Sequence, residues 1–339
     1  MIVAVLGNSP LNIGAACAAE LARAGHAVRV ALSALPPQLE VAGHGAVTLR
    51  PMPAEAAIAG ADLVVVDIPP ADLLPVLAPY LGGLARAGAV HVNSHGYWPA
   101  LRLATAMRRA GLDGFCITDA GAPTHAAGLD GARLTPHARR TGLRIAAAPM
   151  HRLEAALPLL RALVPDATPA AGPLATGLEG INLVVHPALA LVNLGWFDRA
   201  AAAGERVRFY GEGNTASAAA LATALDAERA AICAAWGLPH RSLPAMLAAL
   251  YGATGEDALS AVATCPFYRG LAPQDPLLWR RWLATDVPYG LKPAAALAAA
   301  RGVPAPLHAG LAAVFDAVLG GTGAPLTLEG LGIADGAPA

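Results

Sequence analysis

The sequence predicts a two-domain α/β protein, with a Rossmann-type parallel sheet in the N-terminal half and an all-α C-terminal half. Up to about Pro173, short apolar runs rich in β-branched residues alternate with helical runs rich in Ala and Leu. This alternation is typical of βαβ units. After Pro173, almost every segment has a helical pattern interrupted by Gly and Pro. The chain of 339 residues is also longer than one ordinary hydrophobic core requires.

The N-terminal half contains apolar strand patterns that are followed by helical ones. Ile2–Leu6 is a continuous apolar run, residues 14–24 have a helical pattern closed by Gly25, and residues 63–68 form the clearest buried strand. Since such strands alternate with helices, we expect right-handed crossovers and a parallel sheet. The remaining predicted elements are a helix over 70–81 and strands over 27–32, 47–50, 89–93, 115–118 and 144–147.

The domain boundaries follow from the change of pattern. Residues 165–173 are rich in Pro and Ala and are predicted to form the linker. We therefore expect a sheet domain over 1–170 and a helical domain over 171–325. Gly, Pro and Ala dominate the end of the chain, which predicts a flexible tail over 326–339.

The composition argues against several classes of protein. The formal net charge is −1, no basic run indicates a nucleic-acid partner, and no acidic tail is present. Four cysteines lack a CxxC spacing, so neither a metal site nor a disulfide framework is predicted. Lys292 is the only lysine, and its turn-like surroundings do not favour Schiff-base chemistry.

Neither a signal peptide nor a membrane span is predicted. The apolar N-terminus has no basic residues and breaks at Gly7, so we interpret it as a first strand. Residues 181–197 are apolar, but they are shorter than a membrane span and include Asn182 and His186. A buried helix and a cytoplasmic protein are therefore expected.

The turn after the first strand is the natural position for a dinucleotide. Glycines there let backbone N–H groups at a helix N-terminus approach the pyrophosphate. The turn runs from Gly7 through Asn8 and Ser9 to Gly14. Its end glycines fit this role, but the middle glycine of G-x-G-x-x-G is missing and the turn is longer. A plain α/β turn is the alternative.

Two further strand ends are candidates for cofactor contacts. No acidic residue follows the second strand, which favours NADPH slightly over NADH, and Ser33 is the best candidate for a contact there. The polar loop 93–98 follows another strand, at an edge where open α/β sheets bind ligands. Within it, His95 is a candidate to contact nicotinamide or substrate.

Three segments of the helical half combine polar residues in motifs too specific for plain core. They are residues 182–195, which contain an HP pair, residues 209–215, which read FYGEGNT, and residues 281–291, which contain DVPYG. Together, over roughly residues 174–311, they resemble the octopine/nopaline (opine) dehydrogenase family. Strand-end loops that contain Pro69 and Thr124 also look like those of the family.

The resemblance implies reduction, with NADH or NADPH, of the imine formed from an α-keto acid and an amino group. The product is a secondary amine dicarboxylate. The family's HP and DVPYG motifs imply that His186 and Asp286 are the catalytic pair. The residue chemistry agrees, because histidine changes protonation near neutral pH and a carboxylate on its far nitrogen fixes the tautomer.

Other residues are candidates for substrate binding. Arg281 matches an arginine of the third family motif and could clamp a carboxylate, unless it is a surface arginine. Asn193 lies two helical turns after His186 on the same face; it could orient a ligand or bridge helices. Tyr289 is expected in the pocket wall, and Thr124 in a substrate-binding loop.

Some motif residues are interpreted as structural. Thr215 is expected to cap the helix predicted over Ala216–Ala235, and Tyr210 is assigned no role in the reaction. Asp226 and Arg229 are spaced for an ion pair on one helix face.

Two functional alternatives stay open: a ketone or cyclic-imine reductase of a biosynthetic pathway, and a non-catalytic dinucleotide-binding protein. The expected partners are a keto acid and an amine, with neither nucleic acid nor membrane, and a homodimer is left open.

Overall fold

The computed structural model describes residues 1–333 and divides the chain into two compact units, Met1–Gly177 and Leu178–Ala339. The first unit contains the sheets, and the second is helical over its described part. The predicted fold class is therefore confirmed. Residues 334–339, which are the end of the predicted tail, lie outside the described residues.

The N-terminal unit is built on two β-sheets. One has eight strands in the order β12-β11-β8-β7-β6-β1-β2-β5, and the other has four in the order β4-β3-β10-β9. The strands, in chain order, are β1 (Ile2–Leu6), β2 (Ala27–Ala31), β3 (Gln38–Val41), β4 (Gly45–Thr48), β5 (Arg50–Pro51), β6 (Leu63–Val66), β7 (Ala89–Val92), β8 (Ile117–Ala120), β9 (His125–Asp130), β10 (Arg133–Arg139), β11 (Arg144–Ala148) and β12 (Thr168–Pro169).

The larger sheet is parallel except where β11 pairs antiparallel with β8. Its central strands β6 and β7 are buried along their whole length, as continuous apolar runs predict for a sheet covered on both faces. β1 lies between β2 and β6, so the chain order reverses beside β1. Open α/β sheets form their ligand crevice at the carboxyl ends of strands at such a point.

The four-stranded sheet was not predicted. Its strands are short or largely exposed, and β10 contains Pro136 at an irregularity in its pairing with β9. The single strand predicted over 47–50 was wrong, because the segment divides between β4 in the small sheet and β5 in the large one.

Short helices connect the strands of the N-terminal unit. The single helix predicted over 70–81 was wrong: a 3₁₀ turn at Ala78–Tyr80 separates two shorter helices. Pro79 lies in that turn and has no N–H for a helical hydrogen bond. The helices are α1 (Ile13–Arg23), α2 (Ala54–Ile58), α3 (Leu73–Leu77), α4 (Leu81–Leu84), α5 (Pro99–Arg109), α6 (Leu153–Leu160) and α7 (Pro173–Leu178).

The division between the units falls after Gly177, seven residues beyond the predicted 170. Side chains of the sheet unit bind the start of α7. The indole of Trp98 donates to the carbonyl of Leu174 (3.1 Å), and the hydroxyl of Thr176 donates to Asp119 Oδ1 (2.6 Å). These contacts hold the beginning of α7 in the N-terminal unit.

The helical unit contains eight helices within its described residues. The predicted helix Ala216–Ala235 is present with those bounds, and the hydroxyl of Thr215 caps it by accepting from the N–H of Ala218 (3.2 Å). The helices are α8 (Val185–Ala202), α9 (Ala216–Ala235), α10 (Leu243–Tyr251), α11 (Ala258–Thr264), α12 (Pro266–Gly270), α13 (Leu278–Asp286), α14 (Lys292–Ala300) and α15 (Pro306–Leu319).

The apolar helix at Ile181–Ala202 and residues 326–333 near the end of the chain are both partly buried. Ile181–Ala202 is long and apolar enough to cross a membrane by composition, but 61% of its apolar stretch of 18 residues is buried inside the protein, as in a core helix. The predicted flexible tail differs from the structure over residues 326–333. There Leu331 is fully buried, and the N–H of Leu326 donates to the carbonyl of Pro288 (2.9 Å).

Candidate functional site

A buried histidine–carboxylate pair lies within the helical unit. His186 follows the first residue of α8, and Asp286 ends α13, where a π-helical turn over Val287–Leu291 begins. The Nδ1 atom of His186 lies 2.7 Å from Asp286 Oδ2. The two residues are only 6% and 2% exposed. The structure thus brings together the two residues that the motifs selected, although 100 positions separate them in the chain.

The second nitrogen of His186 is also engaged. Its Nε2 atom lies 2.8 Å from the hydroxyl of Tyr210, which is itself buried. Burial raises the pKa of the Tyr210 hydroxyl well above its usual value, and the nearby Tyr251 and Asp286 raise it further. Tyr210 therefore stays protonated at neutral pH. The sequence motif contained this residue, but its contact with His186 was missed.

Aromatic rings enclose His186. Trp282 stacks on the imidazole at 4.6 Å between ring centroids with an interplanar angle of 13°. Tyr268 stacks on Tyr210 at 3.9 Å, and Phe209 packs edge-on against Trp282 at 4.8 Å. We call Phe209, Tyr210, Tyr268 and Trp282 the aromatic cluster. It limits water around His186, which strengthens electrostatic interactions at the ring.

Asn193 lies two turns after His186 on α8 and is buried. Its amide nitrogen donates to the carbonyl of Leu189 (2.8 Å) and to the carbonyl of Gly213 (2.8 Å). The first bond lies within α8, and the second ties α8 to the segment that contains Tyr210. The amide nitrogen of Asn193 thus joins α8 to the turn at Gly213, and its predicted role in orienting a ligand stays a prediction.

The remaining candidates of the helical unit differ in exposure. Arg281 precedes Trp282 on α13 and is exposed, with no ion pair to the described residues. Its guanidinium is therefore available to an anion. Tyr289 lies in the π-helical turn, three residues after Asp286, and is half-buried.

The glycine turn of the N-terminal unit has the geometry that the end glycines predicted. Gly7 has a φ of +85°, and a Cβ atom there would lie 2.5 Å from the carbonyl oxygen of Asp67. A Cβ at Gly14 would lie 2.4 Å from the carbonyl oxygen of Gly7. Only glycine fits at either position. The pair supplies the tight turn and the close helix–strand packing of a dinucleotide fold.

The amide groups of this turn are already hydrogen-bonded within the chain. Asp67 Oδ2 accepts from the N–H groups of Ser9 (2.8 Å) and Gly14 (2.6 Å). Asn8 Oδ1 accepts from the N–H of Ala15 (3.1 Å). Burial raises the pKa of the Asp67 carboxyl, although these N–H donors oppose the shift. The turn therefore fits a dinucleotide in position and shape, while a pyrophosphate would compete with Asn8 and Asp67 for donors.

The other cofactor candidates lie near the ends of their strands. Ser33 is half-buried and follows Leu32, which has a left-handed φ of 56°. Pro69 is exposed after β6. His95 is half-buried in the loop after β7, just before Tyr97 and its left-handed φ of 69°. Non-glycine residues in this region of φ are uncommon and occur often at functional sites.

Thr124 is fully enclosed and joins two strand ends. Its hydroxyl accepts from the amide of Asn93 (2.7 Å) and lies 2.7 Å from His125 Nδ1, while its N–H donates to Asn93 Oδ1 (2.8 Å). His125 Nε2 lies 2.9 Å from Glu20. Although burial opposes the charged form, Cys17 and Glu20 raise the pKa of His125 to about 9. The sequence did not reveal this network, because no local spacing links its members.

No metal site is indicated. Within residues 1–333, no three His, Cys, Asp or Glu side chains are grouped as metal ligands. The four cysteines are buried, and none of them forms a disulfide bond.

Two protein families match the chain. Residues 169–319 match the family described as NAD/NADP octopine/nopaline dehydrogenase, alpha-helical domain. Residues 2–88 match the family described as NADP oxidoreductase coenzyme F420-dependent. The family resemblance predicted from the motifs is confirmed.

A curated protein is similar to part of the chain. An opine dehydrogenase of Arthrobacter sp. (strain 1C) is 32% identical over 188 residues, which are 55% of this chain and 49% of that protein. The matched segment thus spans about half the length of this curated relative.

Solved structures share the fold. An octopine dehydrogenase structure with NADH and L-arginine has a TM-score of 0.72 at 19% identity, covering 94% of this chain and 90% of that one. A yersinopine dehydrogenase with NADP⁺ bound has a TM-score of 0.62 at 18% identity, covering 98% and 94% of the two chains.

Proposed function

We propose that this chain, whose residues 169–319 belong to the octopine/nopaline dehydrogenase family, is an NAD(P)H-dependent opine-type dehydrogenase. It reduces the imine formed between an α-keto acid and an amino group to a secondary amine dicarboxylate. The observation that carries the proposal is the buried pair of His186 and Asp286, at 2.7 Å, at the positions of the family's HP and DVPYG motifs.

In this proposal the sheet unit binds the cofactor and the helical unit carries the acid. The cofactor diphosphate would be held by the turn that contains Gly7, Asn8, Ser9 and Gly14. The side chain of Asn8 would then turn away from the N–H of Ala15, from which it accepts a hydrogen bond. Ser33, Pro69 and His95 are proposed to contact the rest of the cofactor, which supplies the hydride when bound. Because no carboxylate follows β2 to repel a 2′-phosphate, NADPH is favoured slightly over NADH.

In the helical unit, the protonated His186 is the acid of the reduction, and Asp286 holds its ring in one orientation. The exposed Arg281 binds a substrate carboxylate, and Tyr289 contributes to the wall of the binding site. Thr124 is proposed to shape the substrate loop through Asn93. A cytoplasmic location is proposed as well.

Cofactor oxidation with mixed substrates tests the proposal. Pyruvate with L-arginine or agmatine, the compounds found in solved octopine dehydrogenases, begins a panel of keto acids and amines. We expect turnover only when both partners are present, and a loss of at least about 100-fold in kcat for His186→Gln with unchanged cofactor affinity.

Three results would contradict the proposal. Turnover on a keto or cyclic-imine compound without amine would indicate the alternative reductase. Tight dinucleotide binding without turnover on any substrate would indicate a non-catalytic binding protein. Wild-type turnover in His186→Gln would remove that residue from the reaction.

A further inference from the structure

The imidazole of His186 has both nitrogens engaged by protein groups. Nδ1 lies 2.7 Å from Asp286 Oδ2, and Nε2 lies 2.8 Å from the hydroxyl oxygen of Tyr210. A histidine that donates a proton directly to a substrate needs one nitrogen within hydrogen-bond reach of the reacting atom. With this arrangement, a proton leaving Nε2 reaches the Tyr210 oxygen first.

We propose that Tyr210 is a catalytic residue that relays the proton between His186 and the substrate. This inference rests on the proposed imine reduction and extends it from a pair to a chain of three groups, Asp286, His186 and Tyr210. Nothing in the sequence motif assigned this role to the tyrosine.

The relay supplies the one proton that the reduction of the imine requires. Hydride addition to the carbon of C=N, together with one proton on the nitrogen, gives CH–NH. The Tyr210 O–H bond breaks as the new N–H bond forms, and the proton on His186 Nε2 moves to the tyrosine oxygen. The imidazole is left neutral, still bonded through Nδ1 to Asp286, and takes its next proton from solvent.

The surroundings of Tyr210 suit this role. The stacked ring of Tyr268, at 3.9 Å and an angle of 3°, holds the phenol in place. The bond from Asn193 to the carbonyl of Gly213 fixes the segment that carries it. Because burial keeps the hydroxyl protonated, it always has a proton to pass on and accepts another in the same movement.

The variant Tyr210→Phe tests the relay, because it removes one hydroxyl and keeps the stacked ring. We expect kcat for the keto acid and amine to fall at least about 100-fold, the contribution typical of a positioned acid. Cofactor affinity should stay unchanged. In the wild type, the dependence of kcat on the fraction of deuterium in the solvent should be that of two protons moving in one step. In the variant, this dependence should be lost.

Tyr80→Phe is the matched control. It removes a tyrosine hydroxyl from the sheet unit, outside the aromatic cluster and the hydrogen bonds of His186, so kcat should stay within about two-fold, as for most substitutions away from the reacting groups. A purely structural Tyr210 would instead lower thermal stability or raise substrate KM, with the wild-type solvent effect retained, and that result would overturn the relay.

The outcomes separate the two proposals. If the wild type turns over only with both substrates and Tyr210→Phe is as active, the relay is overturned while the dehydrogenase proposal stands. If the wild type shows no such turnover, the proposed function fails and the relay falls with it. A loss confined to Tyr210→Phe, with the control intact, supports both.

Discussion

Asp286→Asn measures what the buried carboxylate contributes to the reacting histidine. The substitution keeps the shape of the side chain and removes the charge that faces His186 Nδ1 at 2.7 Å. With charge centres about 4 Å apart and an effective dielectric constant of about 20, the attraction between a charged ring and the carboxylate is about 4 kcal/mol. Since about 1.4 kcal/mol changes a rate tenfold, kcat should fall about 1000-fold.

The assay is kcat with saturating keto acid, amine and cofactor at fixed pH. Cofactor affinity should not change, because the glycine turn belongs to the other unit. Asp198→Asn is the matched control: it removes a carboxylate from α8, the helix of His186, but that side chain is 60% exposed and only weakly paired with Arg280 at 4.0 Å. Its kcat should stay within about two-fold of the wild type.

A small effect would refute the reasoning. If Asp286→Asn retained turnover within about ten-fold of the wild type while Asp198→Asn was unchanged, the carboxylate would not support the charged ring during the reaction. A loss of thermal stability in both variants alike would instead point to folding. We expect the melting temperature of Asp198→Asn to equal that of the wild type.

Two predictions concern the N-terminal unit. Asp67→Asn should bind NADPH and NADH about five-fold more tightly in a fluorescence titration, because an anion beside the diphosphate is lost while the amide oxygen can still accept from Ser9 and Gly14; weaker binding would contradict this. The raised pKa of His125, about 9 against 6.5, means that the folded state holds a proton that the unfolded chain releases. This proton contributes about 3 kcal/mol to the free energy of unfolding below pH 6.5, and the contribution is lost as pH rises through 9. The melting temperature of His125→Gln should therefore decline less steeply with pH than that of the wild type. Parallel curves of melting temperature against pH would exclude the histidine as the source of the decline.

The fold could be predicted where local pattern decides structure. Buried parallel strands such as β1 and β6 are continuous apolar runs, and helix α9 is a long alanine-rich segment with a capping Thr215. The small sheet could not be predicted in this way. Its strands β3 and β10 pair across about ninety residues, β3 alternates buried and exposed residues over only four positions, and Leu134 is the one fully buried residue of β10.

The site shows the same division. Motifs selected His186 and Asp286, because each lies in a short and distinctive run of residues. The hydrogen bonds of Asp67 to the glycine turn could not be predicted from the sequence, because Asp67 lies 53 positions from Gly14, whose N–H it accepts from. The residues of the turn do not themselves indicate that its backbone N–H groups are already hydrogen-bonded within the chain.

Asn193 shows why spacing can give the right face and an incomplete role. Its distance from His186 placed both on one side of α8, which left a ligand contact and a bridge between helices open. Its amide nitrogen donates to the carbonyl of Gly213, where a Cβ atom would lie 2.4 Å from the carbonyl oxygen of Phe209. One face of α8 therefore carries the imidazole of His186 and also, through the bond of Asn193 to Gly213, holds the segment that contains Tyr210. If the relay operates, the bond from Asn193 to Gly213 helps to set the distance between its two proton carriers, and substitution of Asn193 would act on the reaction through the position of Tyr210.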